Sequence, residues 1–147
     1  MELYDLSLDV DRISDGVWVS NVKDGGDAEF LVLGYSSKKI RALAIELEAS
    51  RPDKYETDAK VRSDRLTYEA REKIKAGLLG FRKMTIKGKP WEFDAADVAA
   101  KLEDPRFERF QLVVSNAMNK ADETRLEWEA EAEKNSSDGS GTSSETA

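Results

Sequence analysis

The chain has 147 residues, enough for one domain with a modest core, since 36% of its residues are charged and 39% are hydrophobic. It contains no cysteine and no histidine, which excludes disulfides, most zinc sites and the usual Ser-His or Cys-His catalytic arrangements. The net charge of −7 is unevenly spread: residues 123–147 hold seven acids and two bases, whereas residues 71–89 hold seven bases and one acid.

The sequence divides into four segments by composition. Residues 1–15 form an acidic N-terminal arm, 16–122 a single globular domain, 123–134 an acidic helical extension, and 135–147 a Ser/Gly-rich tail that we expect to be disordered. No stretch is apolar over the roughly 20 residues that a membrane-spanning helix needs, and the acidic N-terminus lacks the pattern of a signal peptide. We therefore expect a cytoplasmic protein.

A β-hairpin is predicted at the start of the domain. Residues 16–22 alternate apolar and polar side chains, as a half-buried strand does, and residues 30–33 form a second apolar run. Between them, residues 23–27 are dense in turn-forming glycine and aspartate. Two such runs around a Gly-Gly turn indicate an antiparallel pair.

Two helices are predicted after the hairpin. Ser36 or Ser37 caps the first, which ends at Arg51 because a residue before proline avoids the helical region. The second begins near Thr57, and Gly80 is expected as its C-terminal cap. Apolar residues at helical spacing define their buried faces: Ile40, Leu43, Ala44 and Leu47 in the first, and Leu66, Ala70, Ile74, Gly77, Leu78 and Phe81 in the second.

A smaller hairpin and two further helices complete the domain. The hairpin joins residues 84–86 to residues 91–93, and Asp94 caps the third helix. Asp104-Pro105 separates the third helix from the fourth, whose apolar face contains Phe107, Phe110, Val114, Ala117 and Ala121. The predicted fold is α+β and mainly α-helical: an N-terminal β-hairpin, about four helices with a second short β-hairpin, and a disordered C-terminal tail.

No catalytic, metal or cofactor site is predicted. Asp9, Asp11 and Asp15 fail the calcium-loop spacing, because Ser14 and Ser20 stand where glycine and glutamate are needed. The glycines lack the Walker spacing that a phosphate-binding loop requires. Carboxylate pairs are plentiful among 30 acids and none is set apart. We therefore expect a protein that is not an enzyme and uses no cofactor.

Aromatic and basic residues mark the candidate partner contacts. The basic stretch 71–89 is interpreted first as a solvated face. A contact with an acidic protein, or with the chain's own acidic C-terminus, is the second interpretation. Nucleic acid is the third, because the pI of the chain is near 4.8. Trp91 and Phe93 alternate as core residues of a strand do. Trp128, among glutamates, fits a partner contact and a fold back onto the body equally well. The candidate partner-binding residues are Phe81, Arg82, Lys83, Trp91, Phe93 and Trp128.

The order of these features resembles a known family. The opening Gly16-Val17-Trp18-Val19 strand, the strand at 28–32, the segment Leu78-Leu79-Gly80-Phe81-Arg82, and Lys89-Pro90-Trp91-Glu92-Phe93 followed by a helix and Asp104-Pro105 resemble the small tail assembly chaperones of long-tailed, lambda-like bacteriophages. The likeness covers about residues 16–120. Phe81 stands where the family often has tryptophan, and Trp91 is bulkier than the usual residue after proline.

The resemblance implies a function in assembly. Such proteins bind the tape measure protein, keep it soluble and help tail tube protein to assemble on it, in the host cell cytoplasm and without entering the finished particle. The expected partners are the tape measure protein and the tail tube protein, with possible self-association, no membrane and no nucleic acid. Many members also have a longer form made by ribosomal frameshift. In this chain, the codons of Glu133-Lys134-Asn135 are the candidate for the adenine-rich run on which such a frameshift occurs. The alternatives are a minor virion structural subunit, such as a tail completion or tube-related protein, and, less favoured, an acidic inhibitor.

Overall fold

The structure is a computed structural model, and it describes residues 16–52 and 56–146, with side chains described as far as Lys134. The predicted acidic arm at 1–15, with the three aspartates considered for calcium, lies outside the described residues. The four helices and the short hairpins confirm the predicted α+β, mainly helical fold.

Three antiparallel strands form the main sheet. They are β1 (Val17–Val19), β2 (Glu29–Val32) and β3 (Leu78–Arg82), in the order β1-β2-β3. The predicted hairpin is therefore correct, with Val19 opposite Phe30. Its connection turns sharply, since Asn21 and Asp24 both adopt positive φ and the Gly25 N–H donates to the Val22 carbonyl at 2.9 Å.

The third strand corrects the prediction for the second helix. That helix ends at Gly77, so the assignment of Leu78 and Phe81 to its apolar face, and of Gly80 to its cap, was wrong. The segment instead pairs with β2, placing Phe81 opposite Phe30. Leu78 and Phe81 are three residues apart, which is the spacing of one helix face. The segment is nevertheless a strand, because as a strand it satisfies the second edge of β2.

The remaining elements follow the predicted order. Side chains of Ser37, Asp58, Asp94 and Asp104 each accept hydrogen bonds from backbone N–H groups at the start of the next helix, as capping residues do. The elements are α1 (Lys38–Ala49), α2 (Ala59–Gly77), β4 (Thr85–Ile86), β5 (Lys89–Pro90), α3 (Ala95–Glu103), a 3-10 turn (Pro105–Phe107) and α4 (Glu108–Thr146).

The fourth helix is a single long element that includes residues 123–134. Its backbone is helical as far as Thr146. The prediction of a disordered tail concerns residues 135–147, whose side chains lie outside the described part of the chain.

The core lies between the sheet and α4, with the other helices at its margin. The residues that are almost completely buried come from the sheet and from α1, α3 and α4: Phe30, Val32, Ile40, Leu102, Val114 and Met118. The predicted face of α2 is only half correct, because Ile74 is buried while Leu66 is 59% exposed. The first half of α2 lies beside the end of α1, where the Arg65 side chain donates to the Leu47 carbonyl.

A single carboxylate joins α4 to the turn between β2 and α1. Asp122 accepts hydrogen bonds from the N–H groups of Tyr35 (3.1 Å) and Ser36 (3.0 Å), and from the Ser36 hydroxyl (2.6 Å). A Cβ atom at Gly34 would lie 2.1 Å from its oxygen, so only glycine allows this approach. Contact with the body continues to Arg125, which donates to Ser36 Oγ at 2.9 Å.

Replacing Asp122 with alanine should destabilise the protein by about 2–3 kcal/mol, because two backbone N–H groups lose a charged acceptor. Urea unfolding followed by circular dichroism measures this change. Asn119→Ala, at an exposed site on the same helix, is the matched control and should be nearly neutral. Equal effects of the two substitutions would contradict the role given to this contact.

Candidate partner-binding surfaces

Three of the predicted site residues meet in one aromatic cluster. The Phe81 ring centre lies 4.7 Å from that of Trp91 and 5.2 Å from that of Phe93, and Phe110 of α4 lies 5.8 Å from Trp91. Phe81 is only 7% exposed, while Trp91 and Phe93 are half-buried. The cluster is therefore mainly a part of the core beneath β3, and Trp91 and Phe93 form its accessible edge.

The β4–β5 hairpin positions this cluster. The Trp91 N–H donates to the Met84 carbonyl at 2.8 Å, which brings Trp91 back beneath β3. Trp91 and Phe93 follow β5, so their predicted place within a strand was wrong. The Trp91 indole N–H donates to Asp97 Oδ2 at 2.9 Å, which fixes the ring against α3 and lowers the pKa of Asp97.

A shallow groove of about 510 Å³ runs beside the cluster and is also lined by Arg82 and Lys83. Both cations are exposed, and both bind Glu29, at 3.2 Å and 3.1 Å. Hydrogen bonds from Lys83 and then Arg82 lower the pKa of the Glu29 carboxyl. The Arg82 guanidinium also lies 4.0 Å from the centre of the Trp18 ring. The groove therefore presents aromatic edges beside a cation pair that is partly neutralised.

Other basic side chains of residues 71–89 also form ion pairs with acidic side chains of the same protein. Lys75 binds Glu103 at 2.6 Å and Glu72 at 3.1 Å, and the hydrogen bond to Glu103 is the main reason that its pKa is raised. Lys87 and Lys89 lie exposed on the small hairpin and form no ion pair within the described residues. Ion pairs with acidic side chains therefore offset part of the basic charge of this sequence segment.

Trp128 belongs to a different part of the molecule. It lies on α4, 18 positions after Phe110, which corresponds to about 27 Å along the helix. It is half-buried and is not free of contacts. The structure therefore does not bring Trp128 together with the aromatic cluster, and the predicted site residues occupy two separate surfaces.

The helical arm, made of α1 and residues 59–68 of α2, carries exposed apolar side chains that the sequence analysis did not assign to a binding surface. Four large apolar side chains are exposed on it: Ile45 (70%), Leu66 (59%), Val61 (49%) and Tyr68 (40%). A second groove, of about 380 Å³, lies at its tip. This arginine groove is lined by three arginines, Arg51, Arg62 and Arg65, and by the apolar side chains of Pro52, Val61 and Leu66.

A buried carboxylate holds the two helices of this arm together. Glu69 is only 4% exposed and accepts two hydrogen bonds from Arg51 Nε, at 3.0 Å and 3.1 Å, and one from Arg51 Nη2 at 2.7 Å. Arg65 Nε lies 3.4 Å from its other side. The hydrogen bonds from Arg51 lower the pKa of Glu69, with further help from Arg65 and Lys73.

In residues 16–52 and 56–146, no three acidic side chains are grouped so that they could hold a metal ion. Over the same part of the chain, no helix combines the length and apolar character needed to cross a bilayer.

Comparison with known protein families, with curated proteins and with solved structures found no match.

Replacing Phe81 with alanine should reduce the free energy of unfolding by about 3–5 kcal/mol, because the buried ring leaves a cavity beside Trp91 and Phe93. The neighbouring change Arg82→Ala removes only exposed contacts and should leave thermal unfolding almost unchanged. Calorimetry on both variants measures the difference. A folded Phe81→Ala protein of unchanged stability would contradict the role of the ring in the core.

Replacing Glu69 with glutamine should cost about 2–3 kcal/mol at neutral pH, because Arg51 loses its charged partner. The folded pKa of Glu69 lies below its ordinary value of 4.5, so its contribution is complete above that value and is lost as pH falls through the folded pKa. Urea unfolding of both proteins between neutral and acidic pH should show their difference shrinking on acidification. Glu46→Gln, exposed on α1, is the control, and a difference independent of pH would contradict this account.

Proposed function

We propose that this protein is a phage tail assembly chaperone that binds the tape measure protein, keeps it soluble and assists assembly of tail tube protein around it. It acts in the host cell cytoplasm and performs no catalysis. A longer form made by ribosomal frameshift belongs to the same proposal. The observation that carries it is the exposed apolar surface of the helical arm.

The exposed side chains of the arm suit a helical client. Ile45 and Leu66 are more than half exposed on two packed helices, and charged residues surround them. An amphipathic client helix buries its apolar positions on such a surface, and the surrounding charges keep the free chaperone soluble. A tape measure protein, as a long helical chain, offers such positions repeatedly.

The position of the family-like segments supports the same proposal. The strands at 17–19 and 29–32, Trp91 and Phe93 after the second hairpin, and α3 pack around one core with α4. The resemblance to tail assembly chaperones therefore concerns one packed unit rather than scattered stretches. The aromatic groove beside Trp91 and Lys83 is a second candidate contact within this unit, and it is suited to tail tube protein by its mixed aromatic and charged lining.

The edges of the sheet favour one alternative, a minor virion structural subunit such as a tail completion or tube-related protein. Within the described residues, β1 and β3 each have only one strand neighbour, and Trp18 on β1 is 44% exposed. Free strand edges pair readily with neighbouring subunits. Mass spectrometry of purified particles separates the two proposals, since a structural subunit remains in the particle and a chaperone does not.

Co-expression with the tape measure protein of the same genome tests the proposed function. We expect the client to become soluble and to co-purify with this protein. The double variant Ile45→Gln, Tyr68→Ser should reduce the recovered client by at least about tenfold, because a helix-docking surface loses its apolar anchors.

The matched control is Glu46→Gln, Thr67→Ser, which changes the adjacent exposed positions on the same two helices. It should retain the client. If the folded wild-type protein neither solubilises nor retains the client, the chaperone proposal is wrong. If both double variants bind equally well, the client uses another surface.

A further inference from the structure

The β4–β5 hairpin is a basic projection on an acidic protein. Residues 82–91 hold four bases and no acid, whereas the whole chain carries a net charge of −7. Every residue from Thr85 to Pro90 is exposed. The half-buried rings of Trp91 and Phe93 follow directly and line the groove of about 510 Å³. The hairpin therefore presents positive charge next to an apolar surface.

Two lysines of this segment adopt a backbone conformation that is unfavourable for lysine. The φ angle is 61° at Lys83 and 50° at Lys87, and it is 79° at Gly88, which follows in the same turn. A residue with a Cβ atom adopts positive φ at a cost, and glycine or asparagine adopts it more readily. Asparagine is also the preferred residue before glycine in a two-residue hairpin turn. Strain at two lysines beside one groove indicates that their side chains serve a purpose outside the local backbone.

Glu29 shows which chemical group the cations at this groove bind. Its carboxylate lies 3.2 Å from Arg82 Nε and 3.1 Å from Lys83 Nζ, and yet the two cationic side chains remain 54% and 60% exposed. A guanidinium and an ammonium together carry more donors than one carboxylate can accept. A carboxylate from another molecule can therefore bind the same two cations, and Glu29 competes with it.

The acidic residues of the groove restrict the class of molecule that fits it. Asp27 and Glu92 also line the groove, and both are exposed. A nucleic-acid strand carries a phosphate at every nucleotide, and a strand along the groove would meet these carboxylates. A polypeptide avoids this repulsion when its carboxylates lie on one side and an apolar side chain lies on the other. The lining therefore favours a protein segment over nucleic acid.

We propose that the groove and the hairpin bind an acidic segment of a partner protein, with its carboxylates at Lys83, Lys87 and Lys89 and an apolar side chain against Trp91 and Phe93. Tryptophan at the edge of a packed cluster is a frequent anchor of such contacts. The surface is separate from the exposed apolar side chains of the helical arm. The proposal gives a chemical class to the partner at the second contact of the proposed function, and it rests on that function only for the partner's identity.

A synthetic peptide tests this contact without any phage protein, so its failure is distinguishable from failure of the client pull-down. The probe is a fluorescein-labelled peptide of about ten residues, with a central leucine–phenylalanine pair flanked by glutamate and aspartate. Fluorescence anisotropy with the full chain should give a dissociation constant of about 10–100 µM at low salt, and binding at least about tenfold weaker in about 0.5 M salt. No binding at about 1 mM protein would overturn the proposal.

Three matched probes identify the class of ligand. One peptide has alanine in place of the apolar pair, one has lysine in place of the acidic residues, and the third probe is oligothymidylate of equal length. Each should bind at least about tenfold more weakly than the acidic, apolar peptide. Equal binding of the alanine peptide would remove the apolar anchor from the proposal. Tighter binding of oligothymidylate would replace the protein partner with nucleic acid.

The double variant Lys87→Asn, Lys89→Gln locates the contact. It should weaken peptide binding at least about tenfold, while thermal stability stays unchanged or rises, because asparagine suits the turn before Gly88. The control is Lys39→Gln, Lys60→Gln, which removes the same charge from exposed positions of the helical arm and should bind as wild type. Equal affinity of the hairpin variant and the wild-type protein would contradict this location.

Replacing Glu29 with glutamine separates a binding role from a structural one. The variant loses two ion pairs of the fold, but it frees Arg82 and Lys83 for the partner's carboxylate. Peptide affinity should therefore rise about threefold or more, in a protein that circular dichroism shows to be folded. Glu46→Gln, exposed on α1, is the control and should leave the affinity unchanged. An unchanged or lower affinity in folded Glu29→Gln would overturn the role given to these cations.

Discussion

The contact of Asp122 with the backbone of Tyr35 and Ser36 joins the last helix to the turn between the sheet and the first helix. The same turn ends β2, places the Ser37 cap at the start of α1, and receives α4 from the far end of the chain. It can do so only because Gly34 has no side chain at the point of closest approach. One carboxylate thus holds α4 beside the start of α1, and Arg125 adds a second contact with the same turn.

The features predicted correctly are those with a local cause. A capping side chain such as Ser37 or Asp94 binds an N–H group two or three residues away, and the turn between β1 and β2 lies within a short segment. β3 was missed because its pairing with β2 joins residues about 50 positions apart, and because the three-residue spacing of Leu78 and Phe81 favours a helix. Fold class was therefore predictable, whereas the second edge of the sheet was not.

The candidate sites were also predictable only where their cause is local in the sequence. The aromatic neighbourhood of Phe81, Trp91 and Phe93 was predicted, since the three lie close in sequence, but its role in the core depends on α4 arriving beside it. Leu66 fits a core face by spacing, and it is exposed because its half of α2 extends along α1 rather than over the sheet. Glu69 is buried although it is charged, and its burial depends on its pairing with Arg51, which follows the end of α1. Exposure is set by tertiary position, which residue spacing does not contain.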